Sequence, residues 1–498
     1  MRTAAVAFII AMLCGTILTP IVRRIAYRFG ALDHALSSRK IHGRPIPRLG
    51  GIAIVIAFYV PLTGLLLFHS GVGTFFLAER DHAIGLFVGG LAIALLGLYD
   101  DLRGSGAGRK FLVQFAVAGF LYYLGFRADL LANPFGNPIQ LGWVSLPFTL
   151  LWIVGVINAM NLIDGLDGLA GGVALVAVVP TFLIALQRGH PLMMLFSSAL
   201  AGAIVGFLFY NFNPASIFMG DTGSMFLGFV LAATALQTNQ KASTAVAVLI
   251  PTIALGVPIL DTLLAIGRRA LRGRPLFQAD KEHIHHRLMA IGLTHRQAVL
   301  VLYGFCVLLG AAALILTYTS SLQSALLLVV IALLGFFFLR SLGYMRFERV
   351  SGAADDRRRN RAMRAGIRPL GQRLRKVRVT ADIWPIVVEA STVFGAVGVG
   401  FRIVTGSPDA AQWAFAQGLE DPPAVGRLFR AQFSVPGGSK PLERVLELGW
   451  NDDRKEIDRD TEIAIDIFCE YLADTIDEIG GMASATAEST STSAPRPI

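Results

Sequence analysis

The chain has 498 residues, of which 54% are hydrophobic and only 16% charged, and its mean hydropathy is +0.60. Ordinary soluble domains are about 45–50% apolar, so the composition excludes a soluble globular protein of this size. The net charge of +10 does not require a nucleic-acid partner, and we expect none, because cytoplasmic loops rich in lysine and arginine explain it in a membrane protein. The three cysteines have neither disulfide nor metal-site spacing.

Apolar runs of helical length recur along the first two thirds of the chain. About 20 such residues cross the hydrocarbon of a lipid bilayer. We therefore predict an all-α polytopic membrane protein over residues 1–342, with about eleven spans at 4–22, 49–69, 83–99, 110–126, 146–163, 168–187, 192–210, 224–240, 242–266, 298–317 and 321–341. Arginine and lysine concentrate in one of the two alternating sets of loops, which places those loops in the cytoplasm and the N-terminus outside.

Unusual polar clusters follow or interrupt these spans, and all of them fall on the predicted cytoplasmic side. They are His42–Arg48, Asp100–Asp101, Asn158–Asp167, Asn211–Asp221 and Asp280–Arg287. The predicted outer loops contain nothing comparable. Clusters that are far apart in sequence but share one face predict a single site assembled on a helical scaffold.

Carboxylates dominate this predicted site. A carboxylate near hydrocarbon costs several kcal/mol unless it is paired, solvated or bound to a cation. Several such groups repel one another, so we expect a divalent cation, and oxygen ligands without cysteine favour Mg²⁺, with Mn²⁺ as the alternative. For any single aspartate a helix cap or a solvated loop acid explains the position equally well. The acids are Asp100, Asp101, Asp164, Asp167 and Asp221.

Cationic side chains lie on the same predicted face as the carboxylates. A carboxylate-bound metal together with cations is the arrangement that stabilises a pyrophosphate under attack. A zinc site built from the histidines is a weaker alternative, since only His283 and His286 can share a helical face and no cysteine pattern accompanies them. The cationic and histidine candidates are Lys40, His42, Lys110, His283, His285, His286 and Arg287.

These motifs resemble the polyprenyl-phosphate N-acetylhexosamine-1-phosphate transferase family. The resemblance extends over about residues 1–340, in the order of the family. It is carried by segments 39–51, 97–101, 158–172, 211–228 and 258–288, with Lys110 and Gln114 between them. The sequence His283-Ile-His-His-Arg287 is similar to the branch that uses GlcNAc-1-phosphate, whereas the muramoyl-pentapeptide branch usually carries three consecutive histidines.

The resemblance implies transfer of a hexosamine 1-phosphate, with GlcNAc favoured, from a UDP-sugar to undecaprenyl phosphate. UMP would be released, and the product would start a cell-envelope polysaccharide at the cytoplasmic face of a bacterial inner membrane. A phospho-MurNAc-pentapeptide or a deoxy-amino sugar donor stays open, as does a homodimer. A membrane transporter is the rival of another class, although its polar site would lie nearer the membrane midplane.

Residue roles follow from the same resemblance. Asn161 and Asp221 would ligate magnesium, and Phe218 would stack on uracil. The substrate-binding set implied is Lys40, His42, Lys110, Asn158, Asp167, Asn211, Phe218, His283, His285, His286 and Arg287. The catalytic acids implied are Asp100, Asp101 and Asp164, the first two beside the lipid phosphate. Direct attack by the lipid phosphate is favoured over a covalent aspartyl-phosphate intermediate.

The last third of the chain changes character. Residues 343–378 are rich in arginine and predict a basic juxtamembrane linker that is attracted to anionic headgroups or simply solvated. Residues 379–480 predict a small cytoplasmic α+β domain with a weak resemblance to a GAF-type module and no catalytic constellation. The Ser-, Thr-, Ala- and Pro-rich residues 481–498 predict disorder.

Overall fold

The protein is described by a computed structural model. The residues described are 1–33, 46–68, 74, 76–131, 139–239, 249–272, 283–319, 321–344, 353–405, 411–419, 429–435, 442–451, 457 and 459–491. Two predicted substrate-binding residues, Lys40 and His42, lie outside this set.

A helix lies at the position of every predicted span. The helices are α1 (Arg2–Arg28), α2 (Gly50–Phe68), α3 (Arg80–Arg103), α4 (Ala107–Tyr123), α5 (Ser145–Ile163), α6 (Leu169–Gln187), α7 (Pro191–Asn211), α8 (Gly220–Asn239), α9 (Leu249–Ala254), α10 (Gly256–Arg272), α11 (Ile284–Ala290), α12 (His295–Ile315) and α13 (Ser321–Ser341). Among the described residues, seven helical segments are long and apolar enough to cross a membrane. The predicted polytopic membrane fold is confirmed.

The predicted span 242–266 differs from the structure in one respect. Its described part consists of two helices, α9 and α10, which are separated at Leu255. Pro258 has no N–H to donate to the carbonyl of Ala254, and its ring crowds that carbonyl. The helix therefore ends at Ala254 and a new one starts at Gly256, where a Cβ would lie 2.8 Å from a methyl carbon of Leu309.

The helix α8 lies at the centre of this bundle. It contacts α2, α3, α5 and α6, and nearly all its side chains are buried. Its internal hydroxyls bond within the helix, as where Thr234 Oγ1 donates to Val230 O at 2.6 Å. Since α8 begins at Gly220-Asp221, the central helix of the bundle starts within one of the predicted polar clusters.

Short antiparallel pairs and a second compact unit complete the architecture. The pairs join β1 (Leu32–Asp33) to β2 (Ile46–Pro47) and β3 (Leu130–Leu131) to β4 (Ile139–Gln140). The second unit includes residues 347–498. Its described elements are α14 (Ala353–Leu374), α15 (Ile383–Val393), β5 (Gly398–Thr405), β6 (Ala411–Gln417), β7 (Phe429–Ser434), β8 (Leu442–Trp450) and α16 (Arg459–Ser491).

The second unit is a small α+β domain with a core of its own, as predicted. Its strands form an antiparallel sheet in the order β6-β5-β8-β7. Leu374, Phe401, Trp450 and Phe468 belong to a hydrophobic cluster that α14, α15 and α16 build against this sheet. The GAF-type resemblance stays a prediction.

Two boundaries predicted for this region differ from the structure. Residues 353–374, predicted as part of a linker, form α14, because good helix formers carry an apolar stripe of Met363, Ile367, Leu370 and Leu374 that is buried. The helix α16 continues to Ser491, eleven residues into the segment predicted to be disordered. The alanines in that segment favour helix more than its composition as a whole suggests.

Candidate active site

Three helix ends meet at one end of the bundle. A Cβ on Gly97 of α3 would lie 2.5 Å from Thr222 Cα, and a Cβ on Gly51 of α2 would lie 2.1 Å from Gly223 N. The N–H of Gly51 also donates to Met219 O at 2.8 Å. Only glycine permits backbones to approach this closely, so the ends of α2 and α3 are held against the start of α8.

Asp101 serves as a cap for α8. Its Oδ1 accepts from Asp221 N at 2.9 Å, and its Oδ2 accepts from Thr222 N at 3.0 Å and Thr222 Oγ1 at 2.6 Å. A carboxylate at a helix N-terminus satisfies otherwise unpaired amides and is stabilised by the helix dipole. Asp101 is only 5% exposed, so this geometry favours a positioning role over the catalytic one predicted for it.

Lys110 joins the two neighbouring acids. Its Nζ lies 2.6 Å from Asp100 Oδ2 and 2.6 Å from Asp221 Oδ2. Ser105 Oγ donates to the other oxygen of Asp100, Oδ1, at 2.5 Å. The carboxylates of α3 and α8 therefore flank one cationic group, and Lys110 joins acids from two of the predicted clusters in a single site.

Asn161 lies beside the same carboxylate. Its Nδ2 donates to Asp221 Oδ2 at 3.3 Å, and its Oδ1 accepts from Ser224 Oγ at 2.8 Å. A half-turn of this amide would exchange the two atoms and present an oxygen towards Asp221. The predicted metal-binding pair is thus adjacent, with Ser224 orienting the amide.

Asp164 differs from the other acids of the site. It follows the last residue of α5, is partly exposed and makes no hydrogen bond or ion pair with any described residue. Burial raises the pKa of Asp164 to about 8, and the charges of Asp221, Asp101 and Asp167 add to the effect. A cation or a cationic ligand would relieve this repulsion and lower the pKa.

These donors fit a magnesium ion. Mg²⁺ usually binds through one or two carboxylates, and substrate phosphates and waters complete its coordination. Asp221, Asp100, Asp164 and the Asn161 amide supply oxygens of this kind. Within the described residues no group of three or more His, Cys, Asp or Glu side chains could enclose a metal by itself, so a closed zinc centre has no support there.

Asp167 and Asn211 tie two loops together. Asp167 Oδ2 accepts from Asn213 Nδ2 and from Ala215 N, both at 3.0 Å. Asn211 Oδ1 accepts from Gly168 N at 3.1 Å, while its Nδ2 donates to Ile217 O at 2.9 Å. Both side chains are buried, and they hold the segment after α5 against the segment before α8. Contact with the nucleoside stays a prediction for both.

The histidine segment is anchored by an acid inside α10. Asp261 Oδ2 lies 2.9 Å from His283 Nδ1, and Asp261 Oδ1 accepts from Ile284 N at 2.9 Å. This carboxylate thereby caps α11, whose first turn carries His285, His286 and Arg287. The sequence assigned no role to Asp261, although an acid within an apolar helix is itself a signal for function.

His285 connects the histidine segment to the aspartate cluster. It is 2% exposed, and a Cβ on Gly165 would lie 2.6 Å from its Nε2. Neither ring nitrogen bonds to a described residue. Burial, reinforced by the neighbouring His286, lowers the pKa of His285 to about 3. The ring is therefore neutral at physiological pH and lies against the residue that follows Asp164.

The remaining predicted residues occupy the walls of the site. Asn158 Nδ2 donates to Gln114 Oε1 at 2.7 Å and links α5 to α4. Phe218 is partly buried, and its backbone N–H donates to Pro47 O at 2.7 Å. Sequence reasoning missed Ser105, Thr222, Ser224 and Asn213, because a polar partner of an active-site group is recognisable only once the fold is known.

Comparison with known proteins identifies the family of the chain. The family model described as glycosyl transferase family 4 matches residues 83–239, the stretch that contributes Asp100, Lys110, Asn161 and Asp221. A Bacillus subtilis protein named "probable undecaprenyl-phosphate N-acetylglucosaminyl 1-phosphate transferase" is 42% identical over 312 residues, which are 62% of this chain and 84% of the relative. The chain belongs to this family.

More distant relatives carry related names. A decaprenyl-phosphate N-acetylglucosaminephosphotransferase of Mycolicibacterium smegmatis is 36% identical, covering 57% of this chain and 74% of the relative. A phospho-N-acetylmuramoyl-pentapeptide-transferase of Listeria welshimeri is 31% identical, covering 61% and 93%. The predicted family is confirmed, and as a member of it the chain is a multi-pass membrane transferase.

Proposed function

We propose that the chain transfers GlcNAc 1-phosphate from UDP-GlcNAc to undecaprenyl phosphate, releasing UMP and starting a cell-envelope polysaccharide. The observation that carries the proposal is the Lys110 ammonium held between Asp100 and Asp221, with Asp164 close by. The ammonium group supplies the positive charge that a pyrophosphate requires, and the carboxylates supply the negative charge that a metal ion requires. The names of the relatives support the acceptor and the sugar.

Magnesium is the proposed cofactor, with manganese as a substitute. Asp221 and Asn161 would hold it, and Asp164 is a further oxygen donor. When bound, the ion would neutralise the pyrophosphate oxygens and polarise the phosphorus under attack.

The side chains of the protein position the reactants. The lipid phosphate has its second pKa near 6, so at neutral pH it is largely a dianion and needs little help from a base. One of its oxygens attacks the β-phosphorus of the donor, the bond from that phosphorus to the bridging oxygen breaks, and UMP leaves with that oxygen. Lys110 and Arg287 would stabilise the phosphate charge, and Asp100 would align the attacking group through Ser105 and Lys110. An aspartyl-phosphate intermediate is the second mechanism.

We propose that the site lies at the cytoplasmic face of a bacterial inner membrane. The excess of arginine and lysine in one set of loops supports this orientation. Both substrates are available there, a soluble nucleotide sugar from the cytoplasm and a polyprenyl phosphate from the bilayer. A homodimer is compatible with this arrangement.

The test is UMP release by purified protein with undecaprenyl phosphate and a panel of UDP-sugars. We expect UDP-GlcNAc to be used best and chelation of divalent cations to stop the reaction. A preference for UDP-MurNAc-pentapeptide would assign the second donor class, which the Listeria relative represents. Absence of UMP release with every donor would refute the proposal.

The catalytic site belongs to the first unit alone, so we expect a chain cut after Arg349 to remain active. All site contacts described above lie within the first unit, which consists of Met1–Arg268 and Leu276–Arg346. Each unit has its own hydrophobic core. In detergent, kcat for UMP release should stay within about twofold of the full chain. A monodisperse truncated sample without activity would show that the second unit is part of the catalytic unit.

A further inference from the structure

Tyr344 lies against two arginines, one of which belongs to the histidine segment. The guanidinium carbon of Arg287 is 5.0 Å from the centroid of the Tyr344 ring, and that of Arg268 is 5.3 Å away. Both distances are within the range in which a cation is attracted to the face of an aromatic ring. Neither the sequence motifs nor the names of the relatives assign Tyr344 a role.

The backbone turn at the end of α13 sets the position of the Tyr344 ring. After the last span, Tyr344 N donates to Leu339 O at 3.1 Å and Gly343 N donates to Arg340 O at 3.0 Å. Gly343 has a φ of +75°, in the left-handed region. These two bonds and the glycine form a Schellman motif. The turn that ends α13 therefore directs Tyr344 towards α10 and α11.

An aromatic ring contacts a guanidinium group by its face and so fixes the plane of the group. The stacking itself does not use the N–H donors at the edge of the guanidinium, which are the groups that form paired bonds with phosphate oxygens. Burial raises the pKa of Tyr344 to about 12, so the ring is neutral and adds no negative charge beside Arg287.

Arg268 shares the ring and completes the arrangement. It donates a hydrogen bond to the Tyr344 side chain and lies in α10, the helix whose Asp261 caps α11. The helix α10 therefore contributes to the position of the histidine segment in two ways: Asp261 caps α11, and Arg268 holds the Tyr344 ring that contacts Arg287. The Tyr344 ring thus joins α10 and α11 to the end of α13, beside the Arg287 side chain that the proposed reaction uses.

We propose that Tyr344 is a positioning residue, which orients the Arg287 guanidinium for the phosphate oxygens of the nucleotide-sugar donor. The inference rests on the proposed function, because it assigns Arg287 to the donor. It predicts that loss of the ring weakens donor binding and leaves the lipid acceptor unaffected.

The test compares Tyr344→Leu, Tyr344→Phe and Phe337→Leu in the full chain, with UDP-GlcNAc and undecaprenyl phosphate each varied in turn. Phe337 is the matched control, because it lies in α13, the helix that precedes Tyr344, and is 62% exposed. We expect Tyr344→Leu to raise KM for UDP-GlcNAc about tenfold, the scale of one desolvated cation–π contact, with KM for the lipid unchanged. Tyr344→Phe and Phe337→Leu should stay within about twofold of wild type.

A double-mutant cycle tests whether Tyr344 acts through Arg287. Tyr344→Leu added to Arg287→Lys should cost much less than it does alone, because the oriented group is already gone. Additive effects, an unchanged KM in Tyr344→Leu, or equal losses in the Leu and Phe variants would overturn the inference.

If Tyr344→Leu does not fold, Gly343→Ala is the second variant. It strains the turn while keeping the ring and should raise KM for UDP-GlcNAc; an unchanged KM for that variant would also overturn the inference. Failure of the proposed function is distinct, since the wild type would then release no UMP from UDP-GlcNAc.

Discussion

Replacing Asp221 by asparagine is expected to lower kcat for UMP release about 10³-fold, or ~4 kcal/mol, the usual loss when one group that stabilises transition-state charge is removed. The substitution keeps the backbone N–H that donates to Asp101, so α8 remains capped. It removes the negative charge that Lys110 and the proposed magnesium ion share. The measurement is UMP release over a range of magnesium concentrations, with a thermal melt to verify folding.

Asp129→Asn is the matched control for Asp221→Asn. Asp129 Oδ1 accepts from Ser145 Oγ at 2.9 Å at the other end of α5, so the same chemical change is made away from the site. We expect near-normal activity there. Near-normal turnover of Asp221→Asn at every magnesium concentration would mean that the metal-binding role assigned to Asp221 is wrong.

Asp100→Asn is expected to remain slow at high pH. If Asp100 were chiefly a base, alkaline conditions would form the lipid-phosphate dianion without it, and the rate of the variant would climb towards wild type. The structure favours positioning instead, because Ser105 Oγ and Lys110 Nζ hold both oxygens of this carboxylate. A misplaced dianion lacks the in-line geometry on which phosphoryl transfer depends.

The measurement is a pH profile of kcat for Asp100→Asn, from below the phosphate pKa of about 6 to well above it. Ser105→Ala serves as the milder companion: it keeps the carboxylate and loses one of its hydrogen bonds, so its rate should fall by about tenfold or less, with the wild-type pH dependence. Recovery of Asp100→Asn to the wild-type rate at high pH would overturn the positioning model.

Much of the fold could be predicted because hydrocarbon imposes a simple rule on the chain. A span must be apolar over about 20 residues and satisfy its own backbone, so α1 and the later spans could be recognised from local composition. The break at Leu255 could not, since it depends on Pro258 and on close packing of Gly256 against Leu309. In the second unit, the helical character of residues 353–374 was missed, because burial of its apolar stripe in the core of that unit decides it and composition does not.

The sequence by itself determined which polar clusters are candidates for the site, since polar groups beside hydrocarbon are costly unless they bind or pair with something. It could not distinguish the acids from one another. Asp100 and Asp101 are adjacent in sequence, yet α3 turns one towards Lys110 and the other into the N-terminus of α8. Asp164 is the acid of this group that has no partner among the described residues, and Tyr344 reaches Arg287 only through a turn at the end of α13. These assignments depend on distances between helices that are remote in sequence, which only tertiary packing sets.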